Sequence, residues 1–357
     1  MSIIFKSSFW KAVKFAYSLS AYTKKRPSSV TISEEHYIGV DGKNLPLRVL
    51  NSSKNKSKKS IILFPGASPT AEKHPAMEFL GGVLANLGYK IFVPQIPHLK
   101  NLDISGINIP WIDKAYKEII NRPDVDYNQT ICMGISYGGS LILKASLDGA
   151  MKEYKPKSML LFGSFYDINT SLEFITTGKI VIKGEEKIVK PSEWGLIVGF
   201  HNYLSKVDVG FDTSKMQEVL KLRVREMDDE AEQLATTLPK DQQSLIKSIF
   251  KPEVTKEIQN LIDIVFNNIE NQLNAISPKS WCGGVDNKVF IMHGAGDDMV
   301  PYTESVKLNA DIPDSELFIS YLYEHNEIAP KRSFYHKIKE LFRLILFYTK
   351  VFEYNDN

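Results

Sequence analysis

Short runs of β-branched and aromatic residues alternate with amphipathic segments along most of the chain. Five runs have the composition of buried strands, at Ile61–Phe64, Lys90–Val93, Thr130–Gly134, Met159–Phe162 and Val289–Met292. The segments between the first four of them carry apolar residues at helical spacing. Strands that alternate with helices are typical of a mainly parallel sheet with helices on its faces. The pattern therefore predicts an α/β fold.

The alternation stops between about Asp167 and Asp286, where apolar residues recur at helical spacing among many charges. Only a small hairpin, around Gly184 and Glu185, is predicted there. The α/β alternation then returns and ends in a helix from about Ser333. We therefore predict four regions: an amphipathic N-terminal segment (1–28), the first part of an α/β core (29–166), a mostly helical cap (167–286) and the second part of the core (287–357).

Composition narrows the function classes. The 357 residues are 43% hydrophobic and 24% charged, with a net charge of +2, which is typical of a folded domain and excludes a strongly basic nucleic-acid binder. The sequence contains no run of 18 or more apolar residues, so it predicts no membrane-spanning helix. Two cysteines, Cys132 and Cys282, provide neither a disulfide framework nor a cysteine zinc site. We expect no bound metal, because Asp297 and Asp298 have no histidine at ligand spacing.

The charge is concentrated at the start of the chain. Six Lys and Arg residues and no acidic residue precede Glu34, which leaves a net −4 for the rest. A helical wheel places six apolar residues on one face, with Lys11 and Lys14 opposite: Phe5, Phe9, Ala12, Val13, Ala16 and Leu19. This pattern fits contact of residues 1–26 with an anionic membrane surface, and equally a helix packed on the main domain.

The same segment bears on localisation. Lys11 and Lys14 interrupt any apolar core of a secretory signal, whereas the lack of acids and the serines also fit an organellar transit peptide. With no clear signal and few cysteines, the default prediction is the cytoplasm, with membrane association as an alternative.

The sharpest motif is Gly134-Ile135-Ser136-Tyr137-Gly138. It follows a predicted strand and opens an apolar helix, which is the context in which G-x-S-x-G exposes a reactive serine. The helix N-terminus also offers unpaired N–H groups to a developing oxyanion. The motif predicts Ser136 as a nucleophile, and a turn with only a structural role is the alternative.

A serine nucleophile needs a base, and the base needs an orienting acid. The buried strand Val289–Met292 runs into a loop that contains Asp297 and Asp298. A later strand, Leu317–Tyr321, runs into a loop with His325, 28 residues beyond Asp297. Loops at the carboxyl ends of such strands are where open α/β sheets keep their sites.

In these motifs the chain resembles the α/β-hydrolase superfamily, in particular its capped esterases, lipases and dienelactone-hydrolase-like members. The resemblance covers about residues 30–166 and 286–352. It implies a mainly parallel eight-stranded sheet flanked by helices, with a large helical lid inserted. It also implies Ser136 as nucleophile, Asp297 as acid, because His293–Pro301 matches the family pattern H-G-x-x-D-x-x-V-P, and His325 as base.

The family's oxyanion hole uses the N–H after the nucleophile and one from the loop after the third strand. Here these are Tyr137 and Ala67, with Ser68 as an alternative to Ala67. Two departures concern the subfamily: Pro65-Gly66 stands where the family usually has His-Gly, and Glu324 precedes the histidine where glycine is frequent. No cofactor is implied.

Other interpretations of single residues stay open. Asp298 takes the place of Asp297 as the acid if the match to the family pattern is shifted by one residue. Asp167 is another candidate acid, because it follows a strand after which some members of the family carry the acid. His293 is expected to have a structural role in its loop. Five cap aromatics either line an acyl pocket or form the cap's own core: Trp194, Phe200, Tyr203, Phe211 and Phe266.

The sequence therefore predicts a serine hydrolase that acts on a small-molecule carboxylic ester, apolar or lipid-like, through an acyl-enzyme. An acyltransferase or a thioesterase would use the same residues. The rivals from other classes are a non-catalytic α/β-hydrolase-fold scaffold and a membrane-surface protein whose helical insertion recruits a partner.

Overall fold

The structure is a computed structural model. It describes residues 7–20, 27–53, 58–182, 184–188, 192, 194–251, 253–321 and 334–357. Two predictions fall outside these ranges: the base His325, and Phe5 of the N-terminal apolar face.

Strands in the described ranges are, in chain order, β1 (Val30–Ile38), β2 (Asn44–Ser52), β3 (Ser60–Phe64), β4 (Lys90–Pro94), β5 (Thr130–Ile135), β6 (Ser158–Phe162), β7 (Lys179–Ile182), β8 (Glu185–Ile188), β9 (Val289–Gly294) and β10 (Ser315–Ser320). Eight of them form one sheet in the order β1-β2-β4-β3-β5-β6-β9-β10. The pairs β1–β2 and β2–β4 are antiparallel, and all other neighbours in the sheet are parallel. The predicted eight-stranded, mainly parallel sheet is confirmed.

Helices in the same ranges are α1 (Ser7–Ser20), α2 (Pro75–Ala85), α3 (Pro97–Lys100), α4 (Asn108–Ile120), α5 (Tyr137–Ala145), α6 (Gly149–Glu153), α7 (Ile168–Thr177), α8 (Gly195–Tyr203), α9 (Ser214–Val224), α10 (Asp228–Ala235), α11 (Lys240–Phe250), α12 (Lys256–Ile276), α13 (Tyr302–Asp311) and α14 (Phe334–Asp356). One apolar cluster joins the sheet to α1, α2 and α14, and a second joins it to α4, α5 and the helices α7–α12. Because both faces are covered, β3 is buried at all its positions.

The described residues between β6 and β9 add no strand to the main sheet. They form α7–α12 together with the predicted hairpin, in which β7 and β8 pair antiparallel. Buried apolar residues recur along α12 at the predicted helical spacing, from Ile258 through Val265 to Leu273. Helix α12 begins after Thr255, whose side chain accepts a hydrogen bond from the N–H of Ile258.

Helix α1 packs on the main domain. Ala12, Phe15 and Ala16 are buried, and the Phe15 ring lies 4.3 Å from that of Tyr348 in α14. Among the described residues, most of the apolar face that suggested a membrane contact therefore lies against protein, as the alternative of a packed helix predicts.

The prediction that Lys11 points away from this packed face is wrong. Its Nζ lies 2.9 Å from Asp356 Oδ2 and 4.2 Å from the centroid of the Tyr89 ring. A lysine packs its methylenes on apolar surface and places its charge on a partner, and here the partner lies at the far end of the sequence. Burial lowers the pKa of Lys11, against the opposing effect of Asp356.

Candidate active site

Ser136 occupies a sharp turn between β5 and α5. Its backbone has φ 51° and ψ −125°, a conformation that is strained for any residue with a side chain. Neighbouring glycines make the turn sterically feasible: a Cβ on Gly134 would collide with the backbone of Gly139, and a Cβ on Gly138 with the carbonyl oxygens of Phe64 and Pro65. The local structure is therefore the one that the G-x-S-x-G motif predicts.

The backbone of Ser136 is held on both sides, but its hydroxyl is not used to cap the helix. Its N–H donates to Phe162 O at 2.6 Å, and its carbonyl oxygen accepts from the N–H of Gly139 at 3.0 Å. No side-chain cap bond is made by Ser136 at the start of α5. The hydroxyl thus remains available for chemistry.

The loop after β3 lies directly against this turn. A Cβ on Gly66 would be 3.2 Å from Ser136 Cβ and 3.1 Å from the carbonyl oxygen of Ile135, so glycine permits the close approach. The next residue is Ala67, the predicted oxyanion donor. Ser68, the alternative, donates its N–H to Leu99 O at 3.1 Å, which favours Ala67.

Tyr137 is the first residue of α5, so its N–H has no acceptor within the helix. Its side chain has a separate role. The hydroxyl donates to Ile104 O at 2.5 Å, and the ring stacks on that of Phe165 at 5.6 Å. Burial, followed by the nearby Tyr203 and Asp103, raises the pKa of Tyr137 well above its usual value. Its phenol therefore stays protonated and anchors the residue that follows the candidate nucleophile.

Asp297 follows β9 and is buried, whereas Asp298 is exposed. Oδ1 of Asp297 accepts the N–H groups of Met299 at 2.9 Å and Val300 at 2.8 Å. This turn points the Asp297 carboxylate inward, which favours Asp297 over its neighbour as the acid.

His293 fixes the same loop. Its Nδ1 lies 2.7 Å from Ser305 Oγ and its Nε2 lies 2.8 Å from the carbonyl oxygen of Val300. The ring is fully buried, so the expected structural role of His293 agrees with its contacts.

Asp167, the other candidate acid, is engaged elsewhere. It caps α7 by accepting the N–H of Asn169 at 3.0 Å, and Lys279 Nζ lies 3.2 Å from its Oδ2. A carboxylate that caps a helix and pairs with a lysine has a sufficient structural reason to be there.

Two of the predicted triad residues, Ser136 and Asp297, directly follow or lie shortly after strands that run parallel. Strands β5, β6, β9 and β10 are successive parallel neighbours, so their carboxyl ends meet at one edge of the sheet. Ser136 follows β5 and Asp297 follows β9 at that edge. The segment that holds His325 follows β10 in the sequence, outside the described residues.

An apolar cavity of about 270 Å³ lies beside helix α12. The segment before α4 lines one side, and helices α8 and α12 line the other. Its lining includes Ser105, Gly106, Ile107, Tyr203, Leu273 and Ala275. The Tyr137 hydroxyl also donates a hydrogen bond to the carbonyl oxygen of Ser105 at 3.1 Å. The Tyr137 side chain therefore connects the Ser136 turn to the cavity wall.

Of the residues that line this cavity, the sequence had singled out only Tyr203. It assigned no role to the segment 104–107, because that segment carries no motif. Of the five cap aromatics, Phe200 is buried in the core cluster and Trp194 is 37% exposed.

Among the described residues, no group of His, Cys, Asp and Glu could hold a metal ion. None of the described helices is both long and apolar enough to cross a bilayer.

Comparisons with known proteins give a likeness of structure only. No family model and no curated protein sequence match the chain. Two structures of puromycin hydrolase match 91% and 90% of it at 9% identity, with TM-scores of 0.51 and 0.52. An esterase from Exiguobacterium antarcticum matches 89% of the chain and 100% of its own length at 15% identity, with a TM-score of 0.47. The chain spans only 40% and 39% of the two puromycin hydrolase chains.

Proposed function

The chain has the fold of the α/β-hydrolase superfamily, and we propose that it is a serine hydrolase with Ser136 as its nucleophile. One observation carries the proposal: a non-glycine residue with φ 51° at the β5–α5 turn, its hydroxyl unused by the helix cap. Strained backbone of this kind persists where function requires it. The loop of Gly66 and Ala67 lies against the same turn, as an oxyanion hole requires.

In the proposed mechanism His325 removes the Ser136 hydroxyl proton while Oγ attacks the acyl carbonyl carbon. Asp297 holds the imidazole and stabilises its positive charge, and the N–H groups of Tyr137 and Ala67 bind the oxyanion. The proton then passes to the leaving alcohol as its bond to carbon breaks. Water attacks the acyl-enzyme by the same route, which releases the acid and restores Ser136.

The substrate class that we propose is an apolar carboxylic ester. The supporting observation is the largely apolar cavity of about 270 Å³, slightly smaller than most ligand pockets, whose lining residue Ser105 accepts a hydrogen bond from Tyr137. Thioester cleavage and acyl transfer to an alcohol would use the same residues, so product analysis must separate them. A non-catalytic scaffold has no need for a strained serine at this turn.

Labelling with a fluorophosphonate probe tests the nucleophile. We expect an adduct on the peptide that contains Ser136, and none in Ser136→Ala. The exposed Ser280, changed to alanine, serves as a matched control that keeps full labelling. A folded protein without an adduct would contradict the proposal and favour a scaffold.

Contact with an anionic lipid surface remains a separate proposal, now placed on a different face of α1. Trp10 is 60% exposed and Tyr17 is 73% exposed. The exposed Lys14 lies between them in the sequence, and its Nζ donates to Asn86 O at 3.1 Å. Tryptophan and tyrosine favour the membrane interface, and lysine is attracted to anionic headgroups. The basic, acid-free start of the chain adds to this attraction.

A further inference from the structure

Glu72 is a carboxylate with no exposure to solvent. It lies in the short 3₁₀ turn Ala71–Lys73, in the loop that joins β3 to α2. The same loop contains Ala67, the proposed oxyanion donor. Burial of a carboxylate is costly unless specific contacts compensate for it, so the contacts of Glu72 need an explanation.

Those contacts reach one neighbouring segment. Oε1 of Glu72 accepts a hydrogen bond from Gln95 Nε2 at 2.8 Å and lies 3.4 Å from Lys100 Nζ. Both partners belong to residues 95–100, which follow β4 and include α3. The other oxygen, Oε2, makes no hydrogen bond within the described part of the chain. The side chain of Glu72 therefore attaches its turn to segment 95–100.

The segment 95–100 is in turn bonded to the oxyanion loop. Leu99 O accepts the N–H of Ser68 at 3.1 Å, while Gly66 packs against Ser136. Ala67 lies between these two contacts. The direction of its N–H therefore depends on where Leu99 is held, and Glu72 holds the segment that contains Leu99.

The backbone beside Glu72 provides an independent indication. Ala71 has φ 36°, which is unfavourable for a residue with a side chain. Such a conformation persists only if the surroundings impose it. The carbonyl oxygen of Glu72 accepts from Arg48 Nη1 at 3.2 Å, so the turn is fixed to β2 through its backbone and to 95–100 through its side chain.

We infer that Glu72 is a positioning residue, which keeps the Ala67 N–H in register with Ser136 by holding segment 95–100. The inference rests on the proposed function, because it needs an oxyanion at this place. Glu72 itself touches no reacting atom. Its removal should therefore slow the chemical step more than it weakens substrate binding.

The test compares Glu72→Gln with Glu78→Gln. Glu78 pairs with the same Arg48 guanidinium, its Oε2 lying 3.1 Å from Nη2. For Glu72→Gln we expect kcat on an activated ester, and the rate of fluorophosphonate labelling, to fall about 10- to 100-fold, since loss of one oxyanion donor costs roughly 100- to 1000-fold. KM should stay within about twofold, and Glu78→Gln should keep both rates.

Lys100→Met provides a second variant if Glu72→Gln fails to fold. It removes the charge on the other side of the contact at a half-exposed position, and we expect a smaller fall in kcat, about three- to tenfold. Equal labelling rates in wild type, Glu72→Gln and Lys100→Met would overturn the positioning role and leave the proposed nucleophile intact. Absence of labelling in the wild type would instead overturn the proposed function, and the positioning role with it.

Discussion

His293 Nε2 lies 3.4 Å from Oδ2 of Asp297, and both side chains are completely buried. The same Nε2 is 2.8 Å from the carbonyl oxygen of Val300. A carbonyl can only accept a hydrogen bond, so this contact assigns the proton to Nε2. One carboxylate oxygen of Asp297 therefore faces a histidine N–H, while the other accepts two backbone N–H groups. The acid loop is thus held by His293 of β9 and by its own backbone N–H groups.

Asp297→Asn should lower kcat on esters by about 10⁴-fold, the loss that the equivalent change produces in a serine protease triad. The amide oxygen can still accept the N–H groups of Met299 and Val300, but the new NH2 then faces the N–H of His293. The melting temperature should therefore fall as well, and activity is compared at a temperature where circular dichroism shows the variant folded. Asp298→Asn is the matched control and should keep its activity. Loss of activity in Asp298→Asn, with Asp297→Asn active, would reverse the assignment of the acid.

Ala275→Phe should shorten the range of accepted acyl chains. Ala275 lines the cavity from α12 and is exposed at its rim, so a phenyl ring can enter the cavity without disturbing the core. We expect kcat/KM for a decanoyl ester to fall about tenfold or more, with acetyl ester cleavage unchanged. Asn271→Phe, on the same helix but outside the cavity lining, should alter neither. Equal losses on both esters would show that the acyl chain binds elsewhere.

The contact between Asp356 and its two lysines should make stability depend on acid pH. Burial alone would raise the pKa of Asp356, but hydrogen bonds and charges from Lys11 and Lys59 outweigh it and hold the pKa below its usual value. A carboxyl with a lowered pKa in the folded state stabilises the protein above its unfolded pKa of about 3.9, and this contribution disappears as pH falls through the folded value.

Asp356→Asn should therefore lower the melting temperature at pH 7, and the gap to wild type should close as the pH falls below about 4. Thermal melts followed by circular dichroism at several pH values measure this. Asp229, an exposed aspartate of α10, provides the control Asp229→Asn, which should follow the wild type. A gap that stays constant with pH would mean that the contact acts through packing.

The double variant Trp10→Ser, Tyr17→Ser should bind phosphatidylserine vesicles more weakly, on the order of tenfold, because both rings would enter the interface. Co-sedimentation with vesicles measures the partition, which added salt should reduce further. The control replaces two equally exposed apolar residues of the β7–β8 hairpin, Val181 and Ile188, with serine. Equal pelleting of wild type and both variants would exclude a membrane contact at this face.

Motifs and periodicity were sufficient for the sheet and for the Ser136 turn, because both are encoded locally. A tight strand-to-helix turn needs its glycines within a few residues, and a buried parallel strand needs a continuous apolar run. The ends of elements were less accurate: the strand predicted at Val289–Met292 extends to Gly294. The short helices α3 and α6 carry too few residues to show a period.

Long-range contacts account for what the sequence did not reveal. Lys11 was assigned to the exposed face because a helical wheel does not show Asp356, 345 residues away. The role of Glu72 was not predicted for the same reason. Its partners Gln95 and Lys100 are 23 and 28 residues away, and no motif connects them. The cavity depends on how α8 and α12 pack against the segment before α4, which no local pattern specifies.

The backbone at Ser136 implies that this position is under opposing demands. A residue with a side chain at φ 51° destabilises the fold by about 1–3 kcal/mol, whereas glycine adopts positive φ without that cost. Selection for stability alone would therefore favour glycine here, so the serine indicates selection for function. In directed evolution, gains in thermal stability at this position would come at the expense of turnover.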